Sequence, residues 1–299
     1  MTAPSLAVLG LGLIGGAAAA AWRRAGVVGE TVGCDPDGEA CRVALQRGFV
    51  DRIAPSARAA AAADIVLFAA PVGATAGVLR EIAPGLAPTT IVTDVGSAKQ
   101  AVIEAAHRGL PTGFSRFVPA HPIAGAEQSG AAYATADLFD GRLVVTTPVA
   151  ATSAEALGRV EALWRAAGAR IERMDAADHD RIYAAVSHLP HLVAFAVVAS
   201  IAERPDAQRL LSLAGSGFRD ATRIAASSPA LWRDIALANR DALGAELARV
   251  RATLDRLQAA LAAADAGELE RVFARASAAR RGVAAPPSAP VTGISDGCG

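Results

Sequence analysis

Leu6-Ala7-Val8-Leu9-Gly10-Leu11-Gly12-Leu13-Ile14-Gly15 decides how the first half of the chain is read. An apolar four-residue run leads into G-x-G-x-x-G, and an alanine-rich stretch from Gly15 to Ala25 follows. Glycines in that pattern are common in turns and say little alone. Between a strand and a helix each has a task. Gly10 permits the tight turn, Gly12 lets the backbone approach a pyrophosphate, and Gly15 lets helix and strand pack closely. Leu13 and Ile14 lie in the same turn, where free N–H groups at the helix N-terminus face the phosphates. Asp35, twenty residues past Gly15, ends the next strand-like run, Thr31 to Asp35. A carboxylate there accepts hydrogen bonds from ribose hydroxyls and repels a 2′-phosphate, and no basic residue follows before Arg42. The cofactor read from these residues is NAD rather than NADP. Pro71, after the run Ile65–Ala70, shapes the rim of the same crevice or simply stops a strand.

Outward from this turn, β-like and helical runs alternate as far as Met174. Apolar strand-like runs stand at 64–69, 91–95, 117–119, 143–147 and 170–174. Helical stretches stand at 37–48, 72–82, 98–108 and 154–167. This alternation predicts a doubly wound, Rossmann-type α/β domain with a largely parallel sheet over residues 1–174. From Asp175 the texture changes to alanine- and leucine-rich segments with helical spacing, as in Leu243, Leu247, Val250, Leu254, Leu257 and Leu261. Residues 175–282 are expected to form an all-helical domain. Its apolar stripes exceed what about a hundred residues bury alone, which points to a homodimer. The Pro-rich stretch 283–299 reads as a disordered tail.

Composition excludes some partners. Lys plus Arg and Asp plus Glu balance at 29 each, so net charge gives no reason to expect nucleic acid or an anionic membrane. Leu6 to Trp22 is uncharged, yet it is too short for a span and is broken by glycines. Cys34, Cys41 and Cys298 lack metal or redox spacing and read as reduced thiols of a cytoplasmic protein.

Among five histidines, His121 stands out. It lies in Pro119-Ala120-His121-Pro122-Ile123-Ala124-Gly125, just after a short strand, where an open parallel sheet places its ligands. An imidazole with an ordinary pKa of about 6.5 can take the proton of an alcohol while hydride leaves. Ser97, in Thr93-Asp94-Val95-Gly96-Ser97-Ala98-Lys99, reads as the cap of the next helix and can also turn its hydroxyl into the crevice. Lys99 reads as structural. His107 reads as a solvated helix end, and His179, in Asp178-His179-Asp180-Arg181, as part of a wet helix face. His188 and His191 of Ser187-His188-Leu189-Pro190-His191 share a face at the start of a long helix. No third ligand lies near them, so no metal is expected, and they are assigned to the interdomain cleft or its edge. In Gly215-Ser216-Gly217-Phe218-Arg219-Asp220-Ala221-Thr222-Arg223, either arginine can hold a carboxylate or stay at the surface. Spacing alone does not choose between them.

GLGLIGG, TDVGSAK, HPIAGAEQSG, SHLPH and GFRDATRIA, followed by Leu231-Trp232-Arg233-Asp234-Ile235 and Asn239, occur in this order over roughly residues 6–280. Together they resemble the prephenate/arogenate (cyclohexadienyl) dehydrogenase family. The resemblance implies a Rossmann domain followed by a helical dimerisation domain. It also implies NAD-dependent oxidative decarboxylation of prephenate, L-arogenate or both in tyrosine biosynthesis. By the same resemblance His121 assists hydride transfer at the substrate's ring C4 hydroxyl, and Ser97 contacts and orients that hydroxyl. Arg223 holds a substrate carboxylate, while His188 and His191 line the cleft. Some members carry a fused mutase or a regulatory ACT domain, and the short tail here is expected to leave room for neither. Two rivals remain on sequence. One is a two-domain dehydrogenase of β-hydroxy acids, against which counts the lack of any lysine in residues 175–299. The other is a catalytically silent NAD-binding sensor.

Overall fold

The computed structural model of the chain describes residues 3–125 and 128–283. Most of the Pro-rich tail, and Ala126 and Glu127 of HPIAGAEQSG, lie outside them. By compactness the chain divides into residues 1–243 and 244–299.

In the first unit, β1 (Leu6–Leu9), β2 (Thr31–Cys34), β3 (Arg52–Ile53), β4 (Ile65–Phe68), β5 (Ile91–Asp94) and β6 (Phe117–Val118) form one sheet. Its order is β3-β2-β1-β4-β5-β6, and every pairing is parallel. The order reverses beside β1, and ligands of open α/β sheets lie at that point, beyond the strand carboxyl ends. Alternation along β1 sends Leu6 and Val8 to one face and Ala7 and Leu9 to the other. On the first face lie α1 (Leu13–Arg24) and α6 (Ala154–Ala166), whose Trp22 and Trp164 meet edge-on with ring centroids 5.0 Å apart. Ala17, Ala18, Ala19 and Ala21 of α1 are buried, and their small side chains let the helix lie close against the sheet. On the second face lie α4 (Thr75–Ile82) and α5 (Lys99–Gly109). The short helices α2 (Gly38–Gln46) and α3 (Ala57–Ala60) complete the winding.

The structure corrects one expectation in this half. The late strands do not extend the main sheet but form a second one, β7 (Ala120–Ile123), β8 (Leu143–Thr146) and β9 (Arg170–Arg173), in that order. His121 is therefore a strand residue, paired antiparallel with Val145, and not a loop residue. Pro122 donates no hydrogen bond, and β7 accommodates it as an edge strand.

The helical part begins with α7 (Ala176–Tyr183), a π-helical turn (Ala184–His188) and α8 (Leu189–Ala202). The wide turn precedes Pro190, which lacks the N–H an α-helical ladder needs there. Then come α9 (Ala207–Ser212), α10 (Ser216–Thr222), a 3₁₀ turn (Arg223–Ala226) and α11 (Pro229–Ala238). The start of α12 (Arg240–Ala262) closes the first unit. The second unit holds the rest of α12 and α13 (Ala266–Arg281). There Glu268 accepts from both Arg256 and Arg271.

Candidate active site

The glycine turn has the shape a dinucleotide needs. Gly10 takes φ +102°, and a Cβ there would stand 2.6 Å from the Ala69 carbonyl carbon. A Cβ on Gly15 would meet the Gly10 carbonyl oxygen at 2.0 Å, so helix and strand are in direct contact. Gly12 is the opposite case. Nothing lies within 4 Å of a Cβ built on it, so its backbone faces open space at the N-terminus of α1, beside Leu13 and Ile14. Asp35 stands just beyond β2, where its Oδ2 accepts from the Leu11 N–H (2.6 Å) and its Oδ1 from the Asp37 N–H (2.8 Å). The carboxylate is thereby fixed against the fingerprint turn. Pro71 caps the 3₁₀ turn Val72–Ala74 at the end of β4 and is exposed on the same rim. These residues fit a dinucleotide, with the pyrophosphate over Gly12 and a ribose at Asp35.

At the end of β5 the polar residues are buried. Lys99, the chain's one lysine, is fully enclosed; its ammonium donates to Asp94 Oδ2 and to the Ala120 carbonyl (2.7 Å). Asp94 Oδ1 accepts from the Ala120 N–H (3.0 Å), and Oδ2 from the Gly96 N–H (2.7 Å). Ala120 is thus gripped from both sides, which fixes the backbone carrying His121. Burial pushes the Lys99 pKa down, with Asp94 opposing it. Lys99 is structural here, as the sequence suggests.

Ser97 departs from its expected role. The N-cap of α5 is Ala98, which offers no side chain for the purpose. The helix N–H groups of Lys99 and Gln100 donate instead to Asp180 Oδ1 (2.7 Å) and Oδ2 (3.0 Å). A carboxylate from α7 caps a helix eighty-odd residues earlier, and the Ser97 hydroxyl is released from that duty.

His179 is a second correction. It is wholly buried, and the wet helix face is confined to its neighbours Asp178 and Arg181, which pair with each other at the surface. His179 Nε2 lies 2.8 Å from His121 Nδ1, and His179 Nδ1 lies 2.8 Å from Asp180 Oδ1. Tyr183 packs on both imidazoles, with centroids 5.1 Å from His121 and 4.6 Å from His179. Burial first, then His179, Lys99 and His188, hold the His121 pKa well below its ordinary value, so this imidazole is neutral. Burial also lowers His179, against the pull of Asp180. Burial acts to raise Asp180, but its bonds to His179 and to the Lys99 and Gln100 N–H groups outweigh this and hold it low.

His188 and His191 both face Trp232 of α11. His191 stacks on the indole at 3.6 Å, while His188 meets it edge-on at 6.2 Å. The His191 Nδ1–H donates to the Ser187 carbonyl (2.9 Å). His188 is buried, and burial pushes its pKa down to about 4, with Asp180 and the Ser97 main chain opposing. The Asn239 amide donates to the Asp180 carbonyl (2.8 Å), so its nitrogen is also what meets His188 Nδ1 (3.1 Å). Nδ1 of His188 is therefore the acceptor and Nε2 carries the proton. That buried Nε2–H makes no full hydrogen bond among the described residues, and the Ser97 main chain is the acceptor that acts on this ring. Arg223 and Arg219 are exposed, and Arg223 lies close enough to His191 to help keep it neutral. Among the described residues no group of three or more His, Cys, Asp or Glu side chains is arranged to hold a metal.

The structure thus gathers His121, His188 and the Ser97 main chain beyond β5, and brings Arg223 near His191, which stacks on Trp232. Sequence reasoning missed His179, Asp180, Tyr183, Asn239 and the gripping role of Asp94. One signal was present. Asp180 and His188 stand eight residues apart, about two helical turns, so two polar groups fall on one side of a largely apolar helical run.

The first half of this chain, residues 18–173, matches a family model described as prephenate dehydrogenase, nucleotide-binding domain. Residues 175–275 match prephenate dehydrogenase, dimerization domain. A cyclohexadienyl dehydrogenase of Zymomonas mobilis is 37% identical over 282 residues, which span 92% of this chain and 94% of that protein. The crystal structure of prephenate dehydrogenase from A. aeolicus in complex with hydroxyphenyl propionate and NAD+ superposes with a TM-score of 0.86 at 31% identity, covering 94% of this chain and 98% of that one. The arogenate dehydrogenase of Synechocystis superposes with a TM-score of 0.76 at 32% identity, over 93% and 99% of the two chains.

Proposed function

This chain belongs to the prephenate dehydrogenase family, and we propose that it is an NAD-dependent oxidoreductase acting on prephenate, L-arogenate or both. The products are 4-hydroxyphenylpyruvate or L-tyrosine. One observation carries the reading: a neutral, buried His121 held beyond the strand ends of a dinucleotide-binding sheet.

NAD, when bound, supplies the hydride acceptor. His121 takes the proton of the C4 hydroxyl as the C4–H bond breaks with its electron pair, and the carbinol becomes a ketone. The ring carboxylate then leaves as carbon dioxide, and its electron pair runs through the ring to the ketone oxygen. The phenolate recovers the proton lodged on His121, so the reaction releases no net proton. Aromatisation provides the driving force, and the protein's work is orientation and charge placement. In this reading Ser97 orients the hydroxyl, Arg223 pairs with a substrate carboxylate, and His188 and His191 line the cleft.

The β-hydroxy-acid alternative needs a lysine that can reach substrate. The chain's one lysine is sealed between Asp94 and Ala120. We also propose a homodimer. The helical run Ala176–Ala202 is 27 residues long, and its most apolar 18-residue window, with mean hydropathy 1.7, is only 22% buried. A second copy covering that face accounts for both facts, and the dimerization-domain match supports it. The working location we propose is the cytoplasm, in keeping with the free thiols Cys34 and Cys41. Purified protein, NAD and each substrate in turn test the activity by NADH absorbance. Turnover of one substrate fixes the side-chain preference, and turnover of both makes the enzyme a broad cyclohexadienyl dehydrogenase. Turnover of neither, with NAD bound, refutes the proposal.

A further inference from the structure

We propose that His179 and Asp180 form a positioning pair that holds His121 as its Nδ1–H tautomer and shares the positive charge His121 gains on taking the substrate proton. The proposal rests on the proposed dehydrogenase activity for its second half and on geometry alone for its first. Asp180 is an ionised carboxylate and only accepts, so the His179 nitrogen 2.8 Å from it, Nδ1, carries a proton. A neutral His179 then has a bare Nε2. That nitrogen lies 2.8 Å from His121 Nδ1, which must therefore be the protonated one. Nε2 of His121 is left with its lone pair, which is the form a general base needs. A free imidazole has no such fixed choice; the order of protons along this chain is set from its far end.

Asp180 is itself fixed. Two N–H groups of α5 and the ring of His179 converge on its oxygens, and its carbonyl accepts from Asn239. The other charged or titratable groups packed around His121 are Lys99 and Asp94 from α5 and β5, Tyr183 from α7, and His188 from the π-helical turn. Lys99 is neutralised by Asp94, Tyr183 stays protonated with its pKa pushed up to about 12, and His188 is neutral. None of them offers His121 Nδ1 an acceptor, so the role falls to His179.

The test is ¹⁵N NMR of histidine-labelled protein without ligands, beside steady-state kinetics, for wild type, His179→Phe and His179→Gln. The wild type is expected to show a bare Nε2 on His121. His179→Phe keeps a ring against Tyr183 but removes the acceptor. It is expected to move the His121 proton to Nε2 and lower kcat roughly 10²-fold with NAD affinity unchanged. His179→Gln restores an acceptor oxygen; it is expected to return His121 to the wild-type tautomer and to recover most of the lost rate. A wild-type His121 protonated on Nε2 overturns the proposal. So does a His179→Phe enzyme with the wild-type tautomer and rate. Should the phenylalanine variant fail to fold, the wild-type tautomer and the glutamine variant still decide. A wild type that turns over neither substrate refutes the activity, while the tautomer signals judge the pair separately.

Discussion

The strand-end crevice and the helical run 176–202 obey opposite rules. Along β1, β4 and β5 apolar side chains are buried on both faces, as in any doubly wound sheet. Along residues 176–202 the pattern is turned round. His179, Asp180 and His188 are at most 1% exposed, whereas Val186 and Val197 are 65% and 41% exposed. Buried polar groups and exposed large apolar ones are the informative exceptions to ordinary burial. Here they separate around one helical run: the buried polar residues complete a site against α5 and β7, and the exposed apolar ones lie on the face we assign to a second copy.

The largest expected effect breaks the comparison at its meeting point. His121→Asn should lower kcat roughly 10²–10⁴-fold with NAD binding, measured by calorimetry, little changed. Next comes the grip beneath it. Lys99→Met removes the ammonium from buried Asp94, which keeps only the Ala120 and Gly96 N–H groups, and should cost about 3–5 kcal/mol in urea unfolding. The buried histidines of the helical run give a pH signature. Unfolded His188 takes a proton near pH 6.5, but folded His188 only near pH 4. Between those values the unfolded chain binds more protons, so stability is full above pH 6.5 and falls as pH drops toward 4. His188 alone accounts for on the order of 3 kcal/mol, and His121 acts in the same direction. Unfolding midpoints measured across that window check it. In the crevice, Asp35→Asn should raise the Kd for NAD roughly tenfold and narrow its preference over NADP, since a charge-assisted bond to a ribose hydroxyl is lost. The mildest change to the site is at the other end of the helix. Val197→Asp should halve the mass seen by light scattering, by placing a charge on the face a second copy covers.

Legibility in the sequence divides along the same line. The glycine turn, Asp35 and the order of strands and helices were readable because each depends on neighbours a few residues away. His121 was readable as a candidate, but its strand was not, because β7 exists only by pairing with β8 some twenty residues later. Ser97 was read as a cap because a serine before a helix usually is one. Nothing nearby signals that Asp180 does that work across 81 residues. His179 was misread for the same reason: flanked by Asp178, Asp180 and Arg181, it looks solvated until α5 and β7 are laid against it.

The most direct test of the account is to measure carbon dioxide and NADH together while the purified protein works on prephenate or L-arogenate with NAD. Oxidative decarboxylation predicts equal amounts of both, rising together from the first turnover. NADH without carbon dioxide would contradict it and return the protein to simple alcohol oxidation. Neither product, with NAD bound, would leave a nucleotide-binding protein without this chemistry.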